Sequence, residues 1–146
     1  MGLQIGLISA ASGFDVIIYD AFEKALEQAG KRIQKLAGRL VNQGRIEGEK
    51  IQAGLLRIQF ISNPESAGKL ADLISESVPE DPILKQKVFS QFNKICPAHT
   101  IFTTNSSTLV PSMIADATGR PDRFAALHFH DCAITNVVDE IGRAHV

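Results

Sequence analysis

Three side chains capable of chemistry close short apolar runs in this sequence: Asp20 ends "VIIYD", Ser107 lies in the hydroxyl cluster "NSST", and His128 ends "RFAALH". A neutral imidazole can take a proton from an alcohol while a hydride leaves the same carbon, and a serine hydroxyl can hold the reacting oxygen. Ser107 and His128 follow successive apolar runs, so a parallel sheet would bring them to neighbouring strand ends. The same residues have plainer uses. Ser106 to Thr108 can cap a helix entered at Pro111, and a histidine at a strand end can be structural. Asp20 is equally open: an acid after the second strand of a dinucleotide fold accepts hydrogen bonds from ribose hydroxyls, whereas an acid before a long helix caps it.

Gly2 bears on that choice. The dinucleotide fingerprint is a strand, G-x-G-x-x-G, a helix, and an acid about 20 residues on. Gly2 stands eighteen positions before Asp20, where the third glycine belongs, and Gly6 follows one turn later, where it lets the helix pack closely on the sheet. Met1-Gly2 is then the tail of a glycine-rich turn, with a strand and two glycines expected upstream of residue 1.

The elements that must position these residues alternate. A helix over Met1 to Ser12 ends at Gly13, and Val16 to Tyr19 is a strand. Leu26, Ala29, Ile33, Leu36 and Leu40 make one helical stripe that ends at Gly44. A helix over Glu47 to Leu56, a strand in "RIQFIS", a short helix in "NPESAGKLA" and a strand in "DLISESV" follow. "EDPILKQKVFSQFNKIC" reads as a helix capped by Asp81 with Pro82 at its first position. "TIFTTN" is a strand, "PSMIADAT" a helix and "RFAALHF" a strand. The predicted fold class is therefore α/β, a doubly wound parallel sheet of Rossmann type, lacking its first strand.

Composition sets the outer bounds. At 146 residues, 45% apolar and 21% charged, the chain is at most one ordinary domain. A net charge of −1 gives no reason to expect nucleic acid or an anionic membrane surface as partner. No apolar run reaches the roughly 18 residues that span a bilayer. Cys96 and Cys132 read as reduced thiols, and a cytoplasmic location is expected.

With these residues in view, "YD", "ESVPED", "KICPAHTIFTTNSSTL", "ATGRPDRFAALHF" and "NVVD" resemble, in order and spacing, the NAD-binding domain of 3-hydroxyacyl-CoA dehydrogenases, over Met1 to about Asp139. The resemblance implies His128 as general base, Ser107 in contact with substrate and cofactor, and Asp139 as the acid that orients His128. It implies Glu80 and Lys85 lining the NAD site, Asn105 beside the nicotinamide, and Asp20 on the adenosine ribose. It further implies NAD as cofactor, an acyl-CoA substrate, oxidation of an (S)-3-hydroxyacyl-CoA to the 3-ketoacyl-CoA, and a homodimeric parent protein with a C-terminal helical domain.

Departures from the family pattern are local. The family shows H-F-x-N-P, and here "HFHDC" puts Asp131 and Cys132 in the last two places, so Asp131 is expected near the nicotinamide. The orienting acid is usually twelve positions after the histidine. Asp139 is eleven on and Glu140 twelve, and the "V-V-acid" context favours Asp139. The tail "EIGRAHV" is unlike the family and back-translates, with ordinary codons, into the start of a common sequencing-library adapter. Residues 140–146 are accordingly expected to be non-native, and the chain as written to be unstable and inactive.

Three other functions remain open: zinc binding by His128 and His130 with Asp131 and Cys132, although no third ligand comes at a familiar spacing; a dinucleotide-binding module without catalysis; and a related dehydrogenase of a free hydroxy acid or sugar acid.

Overall fold

The structure is a computed structural model that describes residues 1–131 and 137–142, so Cys132 and the last four residues of the tail lie outside the described residues. Its contacts sort the chain into two units, one built on Met1–Ala67 and one on Gly68–His130 with residues 137–142.

In the first unit, helix α1 (Gly2–Ala11) has no wet face. Ile5, Leu7 and Ala10 are buried, and Leu3, Ile8 and Ala11 pack half-buried against the same core. Strand β1 (Val16–Tyr19) runs parallel to β2 (Ile58–Ile61), with Val16 opposite Ile58 and Tyr19 opposite Ile61. Gly6 is where α1 meets β1. A Cβ there would lie 2.5 Å from Ile18 Cδ1, which bears out the close helix–strand packing expected of this glycine. Helix α2 (Glu23–Asn42) buries Ala29, Ile33, Ala37 and Leu40, a stripe at helical spacing, and stops before Gly44 at φ +64°.

Helix α3 (Gly48–Leu55) completes that core through Ile51. Its Gly54 faces α1 so closely that a Cβ would sit 2.6 to 2.9 Å from backbone atoms of Ala10 and Ala11.

The second unit begins after the short helix α4 (Pro64–Gly68) and holds β3 (Leu73–Glu76), α5 (Pro82–Asn93), β4 (Ile101–Thr104), β5 (Phe124–Phe129) and β6 (Val138–Ile141). The strands lie in the order β3-β4-β5-β6. Phe89 of α5 packs on Phe102 of β4 and edge-on to Phe124 of β5, with centroids 5.5 and 5.2 Å apart. Arg120 is buried beneath this cluster, 4.5 Å from the Phe102 ring centre, and donates to the carbonyls of Asn93, Cys96, Pro97 and Thr100. It thereby satisfies backbone groups left over where α5 ends. Burial there pushes the Cys96 thiol pKa up, against the opposing charge of Arg120.

The α/β class and parallel pairing hold, with two corrections. "PSMIADAT" forms 3-10 turns at Pro111–Met113 and Ala115–Thr118 rather than an α-helix. The Thr118 hydroxyl donates to Ala115 O at 2.5 Å, and Gly119 at φ +66° closes the turn. The last strand is also not parallel: β6, unforeseen in the sequence, runs antiparallel to β5.

The expected gap in the sheet takes the form of two separate ladders, β1-β2 and β3-β4-β5-β6, with no pairing between them among the described residues. Strand residues that a sheet covered on both faces would bury are wet: Ile17 is 39% exposed and Leu73 49%. Among the described residues, no helix is long and apolar enough to cross a membrane.

The backbone contact at Gly54 sets a clear expectation. In the full-length parent protein, Gly54→Ala should destabilise the fold by about 1–3 kcal/mol in urea unfolding, because the new methyl meets main chain that cannot rotate away. A neutral or stabilising result, of the roughly 1 kcal/mol that helix propensity alone would give, would refute the close approach.

Candidate active site

The strand ends of the second unit are joined by a buried ion pair. Glu76 closes β3 directly opposite Thr104 on β4. Its carboxylate accepts from Lys85 Nζ at 2.8 and 2.9 Å, from Thr104 Oγ1 at 2.7 Å and from Val78 N at 2.6 Å. Lys85, only 1% exposed, reaches back from the first turn of α5 and also donates to Val78 O at 3.2 Å. That turn is fixed as the sequence predicts: Pro82 starts it, and the Asp81 carboxylate accepts from Ile83 N and Leu84 N. Two charges this deep persist only when their remaining hydrogen-bonding positions are filled, as they are here.

Glu80 carries the network to the next loop. Its Oε2 lies 3.4 Å from Lys85 Nζ, and its Oε1 accepts from Ser106 Oγ, from Thr108 Oγ1 at 2.8 Å and from Thr108 N at 3.1 Å. Burial pushes the Glu80 carboxyl up, but the bonds from Ser106 and Thr108 and the charge of Lys85 outweigh it and bring it down to about 2. Ser106 in turn accepts from Leu109 N at 2.9 Å. The hydroxyls of Ser106 and Thr108 are thus committed to Glu80, not to capping the turn at Pro111. Ser107, between them, is exposed, and no bond engages its hydroxyl among the described residues.

Asn105 ties this loop to β5. Its N–H donates to Glu76 O at 2.8 Å, and its carboxamide oxygen accepts from Phe129 N at 2.7 Å, one residue beyond His128. His128 and His130 project from the same side of β5, ring centres 4.7 Å apart, and Asp139 on β6 is the residue paired with His128. Asp139 Oδ2 lies 3.6 Å from His128 Nδ1 and 2.7 Å from His130 Nε2, which donates to it. The hydrogen bond and charge of His130, with a smaller part from His128, hold the Asp139 carboxyl below its ordinary range despite partial desolvation. Asp139 rather than Glu140 therefore faces His128, although its hydrogen bond goes to His130.

Gly2 and Asp20 belong to the first unit. Gly2 begins α1, whose N-terminus has no side-chain cap. Asp20 directly follows β1 and does not cap α2: Phe22 holds the cap position, and Asp20 Oδ1 accepts from Phe22 N at 2.9 Å. Asp131 follows β5, is half-buried and groups with the first unit. One participant escaped the sequence: Glu76, signalled only by an acid closing an apolar run nine positions before a lysine. His130, read there only as an alternative zinc ligand, does lie beside His128.

The Glu80 network has a pH signature. A carboxyl held at about 2 stabilises the fold at neutral pH and loses that contribution as pH falls from 4.5 toward 2. Made in the full-length parent protein, the double variant Ser106→Ala/Thr108→Val should show a smaller drop in Tm between pH 6 and about pH 3 than the unsubstituted protein. Equal drops would mean these hydroxyls do not hold the Glu80 charge.

Comparison with known proteins places this geometry. Residues 1–143 match the family "3-hydroxyacyl-CoA dehydrogenase, NAD binding domain". A probable 3-hydroxybutyryl-CoA dehydrogenase of Bacillus subtilis (strain 168) is 33% identical over 129 residues, 88% of this chain and 45% of the relative. The mitochondrial hydroxyacyl-coenzyme A dehydrogenase of Rattus norvegicus is 33% identical over 134 residues, 88% of this chain and 43% of its own length. The chain thus spans a little under half the length of these curated relatives. Among solved structures, a diketoreductase described as acting on dicarbonyl compounds matches with TM-score 0.91 and 38% identity, over 98% of this chain and 51% of that one. The 3-hydroxybutyryl-CoA dehydrogenase of Escherichia coli K12 matches with TM-score 0.86 and 30% identity, over 96% of this chain and 30% of that one. The chain belongs to the family of 3-hydroxyacyl-CoA dehydrogenase NAD-binding domains.

Proposed function

We propose that this chain is the NAD-binding part of a longer, homodimeric enzyme that oxidises (S)-3-hydroxyacyl-CoA to 3-ketoacyl-CoA. The observation that carries it is His128 set across the β5–β6 ladder from Asp139, with the loop of Ser107 tied to the same strand end through Asn105.

The residues present fit the cofactor. Asp20 gives one carboxylate oxygen to Phe22 N and keeps the other for ribose hydroxyls. The uncapped N-terminus of α1 offers its first N–H groups to a pyrophosphate. Within the second unit, Glu80, held ionised, lines the nicotinamide side with Asn105, while Lys85 serves from behind by holding Glu80 in place. NAD, when bound, supplies the hydride acceptor.

The proton is the protein's task. Ser107 holds the substrate oxygen with a hydroxyl that no other group uses among the described residues. His128 accepts the hydroxyl proton on Nε2 while the C–H bond on the same carbon gives up its hydride. Asp139 stabilises the imidazolium that results by facing Nδ1.

A second substrate class has one observation in its favour: identity to the diketoreductase, at 38%, exceeds that to the acyl-CoA relatives named above. The same residues would then act on a hydroxy or keto compound without CoA. Rates on 3-hydroxybutyryl-CoA and on the free 3-hydroxy acid separate the two.

His128→Gln in the full-length enzyme should lower kcat by about 100-fold or more and leave NADH affinity within about twofold, because general base catalysis contributes roughly 10²–10⁴. Turnover within tenfold of the parent would remove His128 from the mechanism. The 146-residue chain alone is expected to show no cooperative thermal transition and no micromolar NAD binding. Either property, measured by calorimetry, would contradict the view that strands left half-wet need a further neighbour. Residues 140–146 are proposed to be adapter read-through, and codons in the raw nucleotides unlike the adapter would end that idea.

A further inference from the structure

The β5–β6 ladder sets three metal-ligating side chains on one face. His128 and His130 are two residues apart on β5, and Asp139 stands opposite the first on β6. One ligating atom from each lies within 4.8 Å of the other two. Two ligands each about 2 Å from a common ion are no more than about 4 Å apart, so closing on an ion takes movements below about 1 Å. All three side chains reach solvent, at 24, 41 and 50% exposure, so an ion can enter and keep a water at an open position. Two imidazoles and one carboxylate are the ligand set of borderline divalent ions rather than of Mg²⁺ or Ca²⁺. The sequence lacked a third ligand for the two histidines. The antiparallel strand, which the sequence did not announce, brings Asp139 into that place.

We propose that His128, His130 and Asp139 form a binding site for a divalent transition-metal ion of the zinc class, and that its occupation disables His128 as a proton acceptor. Without the ion, Asp139 faces the Nδ1–H edge and leaves the lone pair of Nε2 free for the substrate proton. An ion on Nδ1 takes the lone pair there and selects the other neutral tautomer: the proton leaves Nδ1 for water and one from water goes onto Nε2, which then has no lone pair with which to accept. His128 thus releases no net proton, and the ion breaks the His130–Asp139 hydrogen bond. The effect on turnover rests on the dehydrogenase function proposed above; the binding does not.

The test uses chelator-treated full-length protein, with Zn²⁺ titrated by calorimetry and Co²⁺ by its visible absorption. One ion per chain is expected, weakened at least about tenfold in His130→Phe and in Asp139→Asn, both exposed positions whose folding is checked by Tm. No stoichiometric binding, or binding unchanged in both variants, overturns the site. In assays, Zn²⁺ should suppress hydride transfer, EDTA should restore it, and His130→Phe should need at least about tenfold more Zn²⁺ for the same fractional loss. Full turnover with the ion bound overturns the disabling of His128. No turnover even without metal would count against the dehydrogenase function, while calorimetry would still decide the ion site.

Discussion

The second unit depends on holding an ion pair of a lysine and a glutamate together and dry. Lys85 and Glu76 form a pair at 2.8 Å, each with a side chain 1% exposed. Removing one partner of such a pair typically costs about 3–5 kcal/mol, because the other charge is left behind without water. That penalty fixes the first turn of α5, the end of β3 and the end of β4 in one arrangement. Glu80, anchored by the same ammonium group, transmits it to Ser106 and Thr108. Ser107 sits between two hydroxyls committed to Glu80, and among the described residues no bond engages its own.

A parallel logic of close approach governs the first unit. Gly6 against Ile18 and Gly54 against the backbone of α1 let three helices and two short strands share one small apolar cluster around Leu7, Ile33, Leu40 and Ile51. Asp20 directly follows the first strand of that unit and Gly2 begins its first helix, so its two cofactor-binding candidates lie at the ends of regular elements.

Much of the fold is legible in the residues. Pro82 after Asp81, Gly13 and Gly44 at positive φ, and the stripe from Leu26 to Leu40 mark their elements because each depends on local chemistry. Ser107 and His128 are legible as strand-end residues for the same reason. What escapes is what distant segments decide. Glu76 matters because Lys85 and Thr104 meet it, Arg120 because four carbonyls converge on it, and β6 because β5 offers it an edge. "PSMIADAT" has helix-like composition, yet it forms 3-10 turns whose carbonyls of Met113 and Ala117 accept from Gln86 and Ser90 of α5. The choice of Asp139 over Glu140 likewise depends on register, which only pairing with His128 fixes.

The most direct test of the central claim is amide hydrogen exchange at Thr108 and Leu109 in Lys85→Met of the full-length enzyme. These two N–H groups donate to Glu80 and Ser106, at the far end of the chain of contacts that starts with the lysine. Both should exchange at least about tenfold faster than loss of global stability explains, with the amide of Phe89 in α5 as the internal reference. Exchange at Thr108 and Leu109 that is unchanged, or that rises only in step with Phe89, would contradict the claim that the buried pair holds the loop.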